Sequence, residues 1–301
     1  MAGLATLDAW AWAAIVAKAV GYAAALVAMG GALFLIAFPP TRRRGGHERV
    51  RALARNLALA AAGAGALVLG LRFALRAARI SGMGMDGATD AVMLGLVWDS
   101  PLGTSAVWRL AGFVLVLALA FRTAWAPWTA ALGSVAIAVS YAQVGHSLGD
   151  PRWLLGSILV LHLLAAAFWV AALLPLRRAA ADGPGGAALL HRFGQVAVWT
   201  VGGLAVFGVI FAFVMSGATP AALLGTAYGW TLLGKVALVT GLLGLAAINK
   251  LRLVPALAAG KAQAAPRLRR SIAFEIALVV AILLLTAALT SVTVPPVNME
   301  S

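Results

Sequence analysis

Long runs of apolar residues with almost no charge divide the chain, and they restrict its fold more than any other feature. The hydrocarbon core of a bilayer is about 30 Å thick, and a helix needs roughly 20 apolar residues to cross it. Eight segments qualify: Ala11–Phe38, Leu53–Ala77, Ser105–Phe121, Pro127–Val144, Trp153–Leu176, Val196–Met215, Tyr228–Ile248 and Ile272–Val294. Their apolar residues are continuous and do not alternate, which favours helices over the strands of a membrane barrel. The sequence therefore predicts an all-α polytopic membrane protein with eight transmembrane helices in a single transmembrane domain spanning residues 1–301.

The composition agrees with this interpretation and excludes several functional classes. Of the 301 residues, 63% are hydrophobic and 11% are charged, whereas a soluble domain has about 45–50% apolar and about 25% charged residues. Soluble enzymes, nucleic-acid-binding proteins and disordered chains are therefore excluded as descriptions of the whole chain, and we expect no enzymatic activity. The chain has no cysteine, so any metal must be bound by His, Met, Asp, Glu or backbone atoms. The first basic residue, Lys18, lies inside an apolar run, which is not the pattern of a secretory signal.

The charges are distributed unevenly along the chain, which predicts an orientation in the membrane. Sixteen of the 23 basic residues lie on the connections that follow the first, third, fifth and seventh apolar segments. They are Arg42, Arg43, Arg44, Arg49, Arg51, Arg55, Arg122, Arg177, Arg178, Arg192, Lys250, Arg252, Lys261, Arg267, Arg269 and Arg270. Basic residues are enriched on the cytoplasmic side of membrane proteins, so we expect both termini outside. The net charge of +14 then reflects topology and contact with anionic lipid, not a nucleic-acid site.

The chain resembles a duplication of four helices. Residues Gly21–Leu33 of the first segment are similar to Leu161–Leu173 of the fifth, and both segments precede a basic connection. The starts of the third and seventh segments each place a cation six residues after a glycine, Gly103 with Arg109 and Gly229 with Lys235. We therefore expect two parallel halves, residues 1–145 and 146–301, related by an axis along the membrane normal. Shared Ala, Leu and Gly composition is the alternative explanation.

Histidines are the first candidates for chemistry, because polar groups inside a bilayer are costly and are usually functional. His146 ends the fourth segment on the outer side, and His162 lies inside the fifth. If Asp150 caps the fifth segment, then His162 is about 11 residues, or about 16 Å, deeper in the membrane. The two histidines bind one ion only if the fourth segment breaks near Gly145 and folds inward; otherwise they suit two successive stations. A hydrogen-bonded structural histidine is the alternative for each.

Methionines add a second set of candidate ligands. Met83 and Met85 form a Met-Gly-Met sequence in the long outer connection of residues 81–104, and Met215 ends the sixth segment on the same side. Thioether and imidazole ligands without cysteine suit copper. Ordinary membrane-protein methionines are the alternative explanation. We predict a metal site among His146, His162, Met83, Met85 and Met215.

Three charged residues within the apolar segments have more than one interpretation. Lys18 and Lys235 either extend to the outer interface, pair with a carboxylate or set a local field. Glu275 lies close to Arg269 and Arg270 in sequence, which favours an ion pair within one helix.

The residues now identified resemble the copper resistance protein D (CopD) family of bacterial inner-membrane proteins, most clearly from about residue 140 onward. The resemblance rests on Gly145-His-Ser147, His162-Leu-Leu-Ala-Ala-Ala-Phe-Trp169, Leu173-Leu-Pro175, His191-Arg-Phe193, Tyr228-Gly-Trp-Thr-Leu-Leu-Gly-Lys235, Asn249-Lys250, Leu253-Val-Pro255, Leu268-Arg-Arg-Ser271, Glu275 and Pro295-Pro296. One departure is Ala171, where the family often has glycine two residues after the tryptophan.

The resemblance implies copper handling at the cytoplasmic membrane, often with a periplasmic copper carrier of the CopC type. On this hypothesis copper loads from outside, Met83 and Met85 collect it, His146 receives it and His162 holds it within the membrane. No nucleotide-binding motif is present, so we expect no ATP-driven step in this chain. One alternative is a haem-binding redox protein of b-type cytochrome character, although two axial histidines need similar depths. Another is a copper sensor or scaffold that does not transport.

Overall fold

The computed structural model describes residues 8–40, 46–144, 152–215, 225 and 227–292, and all regular structure in these ranges is helical. We number the α-helices as α1 Ala9–Ala37, α2 Gly46–Ser81, α3 Met85–Thr89, α4 Ala91–Asp99, α5 Pro101–Val116, α6 Ala126–Ala142, α7 Arg152–Ala181, α8 Pro184–Met215, α9 Ala227–Ile248, α10 Val254–Ala258 and α11 Ala264–Val292. A 3₁₀ turn, Leu117–Phe121, extends α5, and a π-helical turn, Asn249–Leu253, joins α9 to α10.

The predicted all-α class is confirmed over these residues, while the number of spans stays a prediction. Among the residues that the structure describes, six stretches are long and apolar enough to cross a membrane: Ala9–Ala37, His47–Ser81, Pro101–Phe121, Trp153–Ala181, Gly229–Ala258 and Ala264–Ser291. The fourth predicted span corresponds to α6, which has only 17 residues. At 1.5 Å per residue this helix is about 26 Å long, slightly shorter than a typical hydrocarbon core. The sixth predicted span lies on α8.

Polar side chains at helix starts explain where the elements on one face of the bundle begin. Asp8 accepts a hydrogen bond from the Ala11 amide at 2.7 Å and caps α1, since carboxylates at this position satisfy free helix amides. Asp90 caps α4 in the same way. The long connection after α2 therefore contains two short helices, α3 and α4, which pack on α2. We call the face where α1 begins and α2 ends the N-terminal face.

Helix α1 lies at the centre of the bundle and packs against α2, α6, α7 and α11. Two adjacent glycines allow its closest approaches. A Cβ atom on Gly30 would lie 1.8 Å from the carbonyl oxygen of Ala167 in α7, and one on Gly31 would lie 2.5 Å from the Cβ of Ala58 in α2. Small residues are common where membrane helices pack this closely, so these contacts fix the position of α7 relative to α1.

Helix pairs are similar in the two halves of the chain. In the first half α1 packs on α2 and α5 packs on α6; in the second α7 packs on α8 and α9 packs on α11. Between the halves, α1 contacts α7, α1 contacts α11, and α6 contacts α7. Large apolar side chains remain exposed around this bundle, among them Leu67, Trp153 and Trp199, as expected for a surface that faces lipid.

The α1–α7 contact generates a stability prediction. Replacing Gly30 with alanine forces the two backbones apart, so we expect a loss of about 1–3 kcal/mol or more in the free energy of unfolding. Gly63→Ala is the matched control, because no atom lies within 4 Å of its added Cβ. Thermal unfolding of the purified chain in detergent checks both variants. Equal midpoints for the two alanine variants would contradict the packing described here.

Candidate functional site

His162 is the predicted ligand that the structure describes most clearly. It lies ten residues after the start of α7, about 15 Å along the helix axis. Its Nδ1 atom is buried and has no hydrogen-bond partner among the described residues. A buried ring nitrogen without a partner is energetically costly, which weakens the alternative of a hydrogen-bonded structural histidine. The same lone pair is suited to coordinate a metal ion.

A cation lies near this imidazole. Lys235 on α9 is half-buried and within electrostatic range of His162. No described hydrogen bond or ion pair involves Lys235. No described carboxylate therefore pairs with Lys235, while extension to the interface and a local field beside the histidine both stay predictions.

The other predicted ligands are not brought together with His162 in the described part of the chain. Met83 and Met85 are 57% and 68% exposed, beside α3 at the N-terminal face. Met215 is the last residue of α8, and its side chain lies outside the description, as does the whole of His146. Over the described residues, no group of three or more His, Asp or Glu side chains has the arrangement of a metal site. The proposed ligand set as a whole thus stays a prediction.

A polar network that the sequence analysis missed lies between α5 and α6. Arg109 is only 6% exposed, and its Nε donates to Ser140 Oγ at 2.9 Å. Its Nη2 donates to Ser105 Oγ at 3.0 Å, and the guanidinium lies 3.9 Å from the centre of the Tyr141 ring. The signal available from sequence was a lone arginine inside an apolar segment, but its serine partners are 4 and 31 residues away.

Lys18 is bound to the end of α11. Its Nζ donates to the carbonyl oxygen of Thr290 at 2.8 Å and to Ser291 Oγ at 3.3 Å. Tyr22, one turn along α1, lies 3.4 Å from Thr290 Oγ1, and its ring centre is 5.6 Å from that of Tyr141. Lysine and tyrosine therefore connect the two halves of the chain near the N-terminal face.

Glu275 has a different partner from the one that sequence proximity favours. Instead of an ion pair with Arg269 or Arg270, its Oε1 accepts a hydrogen bond from Asn249 Nδ2 at 2.9 Å. Asn249 is buried in the π-helical turn, and its Oδ1 has no partner among the described residues. Ser271, one turn before Glu275, also has a buried Oγ without such a partner. The Glu275 side chain faces the turn after α9, whereas Arg269 and Arg270 lie on other faces of α11.

These features define a polytopic helical membrane protein with few buried polar side chains among the described residues. Comparison with known families makes the class specific. The model of the copper resistance protein D-like N-terminal domain matches residues 6–153, and the model of copper resistance protein D matches residues 187–289. No curated protein and no solved structure matches the chain. The chain belongs to the copper resistance protein D family and is a membrane protein of copper resistance and copper handling.

The Asn249–Glu275 contact generates the second prediction. Asn249→Leu keeps the branched shape of the side chain but leaves Glu275 buried without its donor, so we expect a loss of about 1–3 kcal/mol in unfolding free energy. Adding Glu275→Met removes the stranded carboxyl group and should restore most of that loss. Unfolding of both variants in mixed detergent micelles measures the coupling. Strictly additive effects would show that the two side chains do not depend on each other.

Proposed function

We propose that this protein transports or delivers copper ions across the cytoplasmic membrane and loads them from the outer, periplasmic side. The observation that carries the proposal is the buried Nδ1 of His162, which lacks a partner among the described residues of a chain in a copper-handling family. An unpaired imidazole deep in a helix bundle suits a cation that passes through or rests there.

The proposed route begins at the N-terminal face. Met83 and Met85 are exposed beside α3, so a copper ion arriving from solvent or from a carrier can reach them. Met215 and His146 are the next proposed ligands, and His162 holds the ion deeper in the bundle. His146 and His162 either share one ion or act as successive stations. A periplasmic copper carrier of the CopC type is the proposed partner.

The charge near His162 favours one form of copper. Lys235 repels a divalent ion twice as strongly as a monovalent one at the same distance. Thioether ligands also select Cu(I). Both arguments favour transfer of the singly charged ion between the methionines and the histidine.

The proposal includes an orientation and an architecture. We propose eight transmembrane helices in two parallel four-helix halves, with both termini outside and the arginine-rich connections in the cytoplasm. The corresponding helix pairs of the two halves support the duplication. When Gly21–Leu33 is aligned with Leu161–Leu173, Tyr22 is equivalent to His162. In the other aligned pair, Arg109 is equivalent to Lys235. Tyr22 lies within electrostatic range of Arg109, as His162 does of Lys235.

The third prediction concerns copper binding by the purified chain. The double variant His146→Ala/His162→Ala should bind Cu(I) at least about tenfold more weakly than wild type, because two imidazole ligands are lost. His191→Ala is the control, since His191 is exposed and interacts with Gln195. Competition with a colorimetric Cu(I) chelator measures the affinities. Affinity of the double variant equal to that of the control would refute the assignment of these histidines.

A further inference from the structure

A small cavity lies between α1, α2, α5 and α6, on the first-half side of the bundle. Its lining includes Gly21, Gly65, Arg72, Arg109 and Tyr141. The cavity has a volume of about 10 Å³, close to the least that holds one water molecule, so the slightly larger chloride ion also requires a small outward shift of the half-buried Arg72 side chain. Gly21 keeps it open, because a Cβ at this position would lie 3.8 Å from Nη1 of Arg72 and 3.4 Å from Cγ1 of Val68.

Positive charge collects around this cavity. Arg72 and Arg109 both line it, and Lys18 is within electrostatic range of Arg72. The only ion pair among the described residues joins Arg178 to Asp182, far along the chain. No described carboxylate therefore neutralises Lys18, Arg72 or Arg109. Within a bilayer, neighbouring cations without a carboxylate partner are energetically costly unless an anion or an aqueous path compensates their charge.

A hydrogen-bond donor is also left unused at this place. The hydroxyl oxygen of Tyr141 is buried and has no hydrogen-bond partner among the described residues. The Tyr141 ring is fixed from one side by the Arg109 guanidinium and from another by the ring of Tyr22. A fixed phenol can donate its proton to an anion, as the two guanidinium groups can.

We infer that this cavity, the Arg72–Arg109–Tyr141 cavity, binds one small inorganic anion such as chloride. The lining supplies guanidinium and hydroxyl donors and no described carboxylate, which selects against a metal cation. The limited room selects against a phosphate group or a larger carboxylate. None of the proposed copper ligands lines this cavity, and His162 lies on another helix, α7.

The bound anion has a consequence for copper. Lys18, Arg72 and Arg109 lie eight or nine residues from the ends of α1, α2 and α5 at the N-terminal face, and His162 lies ten residues from the start of α7. On the proposed route, copper therefore meets the field of these cations at about the depth of His162. One bound anion reduces that field, since opposite charges within a few ångströms interact strongly at low dielectric.

Direct binding of radioactive chloride to the purified full-length chain tests the site. The chain is placed in phosphatidylcholine nanodiscs without copper, and sodium gluconate balances the ionic strength. We expect saturable binding of one chloride per chain by wild type. Tyr141→Phe removes the hydroxyl donor and Arg72→Gln removes a positive charge, and each should weaken binding roughly tenfold or more. Arg79→Gln is the control on the same helix, because Arg79 is exposed, and its affinity should stay within about twofold of wild type.

Gly21→Ala separates anion binding from folding. Its methyl group occupies part of the cavity at ordinary contact distances, so we expect weaker chloride binding with unchanged or higher thermal stability. Absence of saturable chloride binding to wild type, or wild-type affinity in Tyr141→Phe, would overturn the proposal. Stabilisation by phosphatidylglycerol that disappears in Tyr141→Phe, without chloride binding, would overturn it in favour of a lipid phosphate. Because copper is omitted, these outcomes do not depend on the proposed copper route.

Discussion

A polar atom inside a bilayer has no water to bind, and this constraint shapes the whole molecule. It requires the backbone to satisfy its own hydrogen bonds, so the described chain is built of helices. It also requires each buried polar side chain to find a hydrogen-bond partner inside the protein. Arg109 is surrounded by Ser105, Ser140 and Tyr141, and Glu275 is bound by Asn249. The groups left without a described partner, above all His162 Nδ1 and Tyr141 Oη, are therefore the places where a ligand is expected.

The two halves of the bundle differ in the number of cations within their apolar helices and in the residues around those cations. In the first half three cations lie near one cavity, with tyrosines and serines as neighbours. In the second half a single lysine lies near a single histidine. The family models, which match the two halves separately, are consistent with different roles for them.

Much of the fold could be predicted from the chain. The apolar segments correspond to helices over the described residues, because length and continuous hydropathy are local properties. The segment of residues 81–104 was expected to be a connection, yet it contains α3 and α4, and Asp90 caps the start of α4. The buried histidine was identified as a candidate because imidazole is rare in such segments. Lys235 was also noted in the sequence, but its proximity to His162 could not be predicted, because the two residues lie on different helices.

The sequence alone determined that the chain is a helical membrane protein of the copper resistance protein D type, because hydropathy and motifs are local properties of consecutive residues. Tertiary structure alone decided which polar groups meet. Glu275 lies five and six residues from two arginines but bonds to Asn249, 26 residues away. Arg72 and Arg109 lie on different helices and share one cavity with Tyr141. The physical reason is that helix rotation and the close approach at Gly30 and Gly31 determine which faces meet, and neither is encoded in local periodicity.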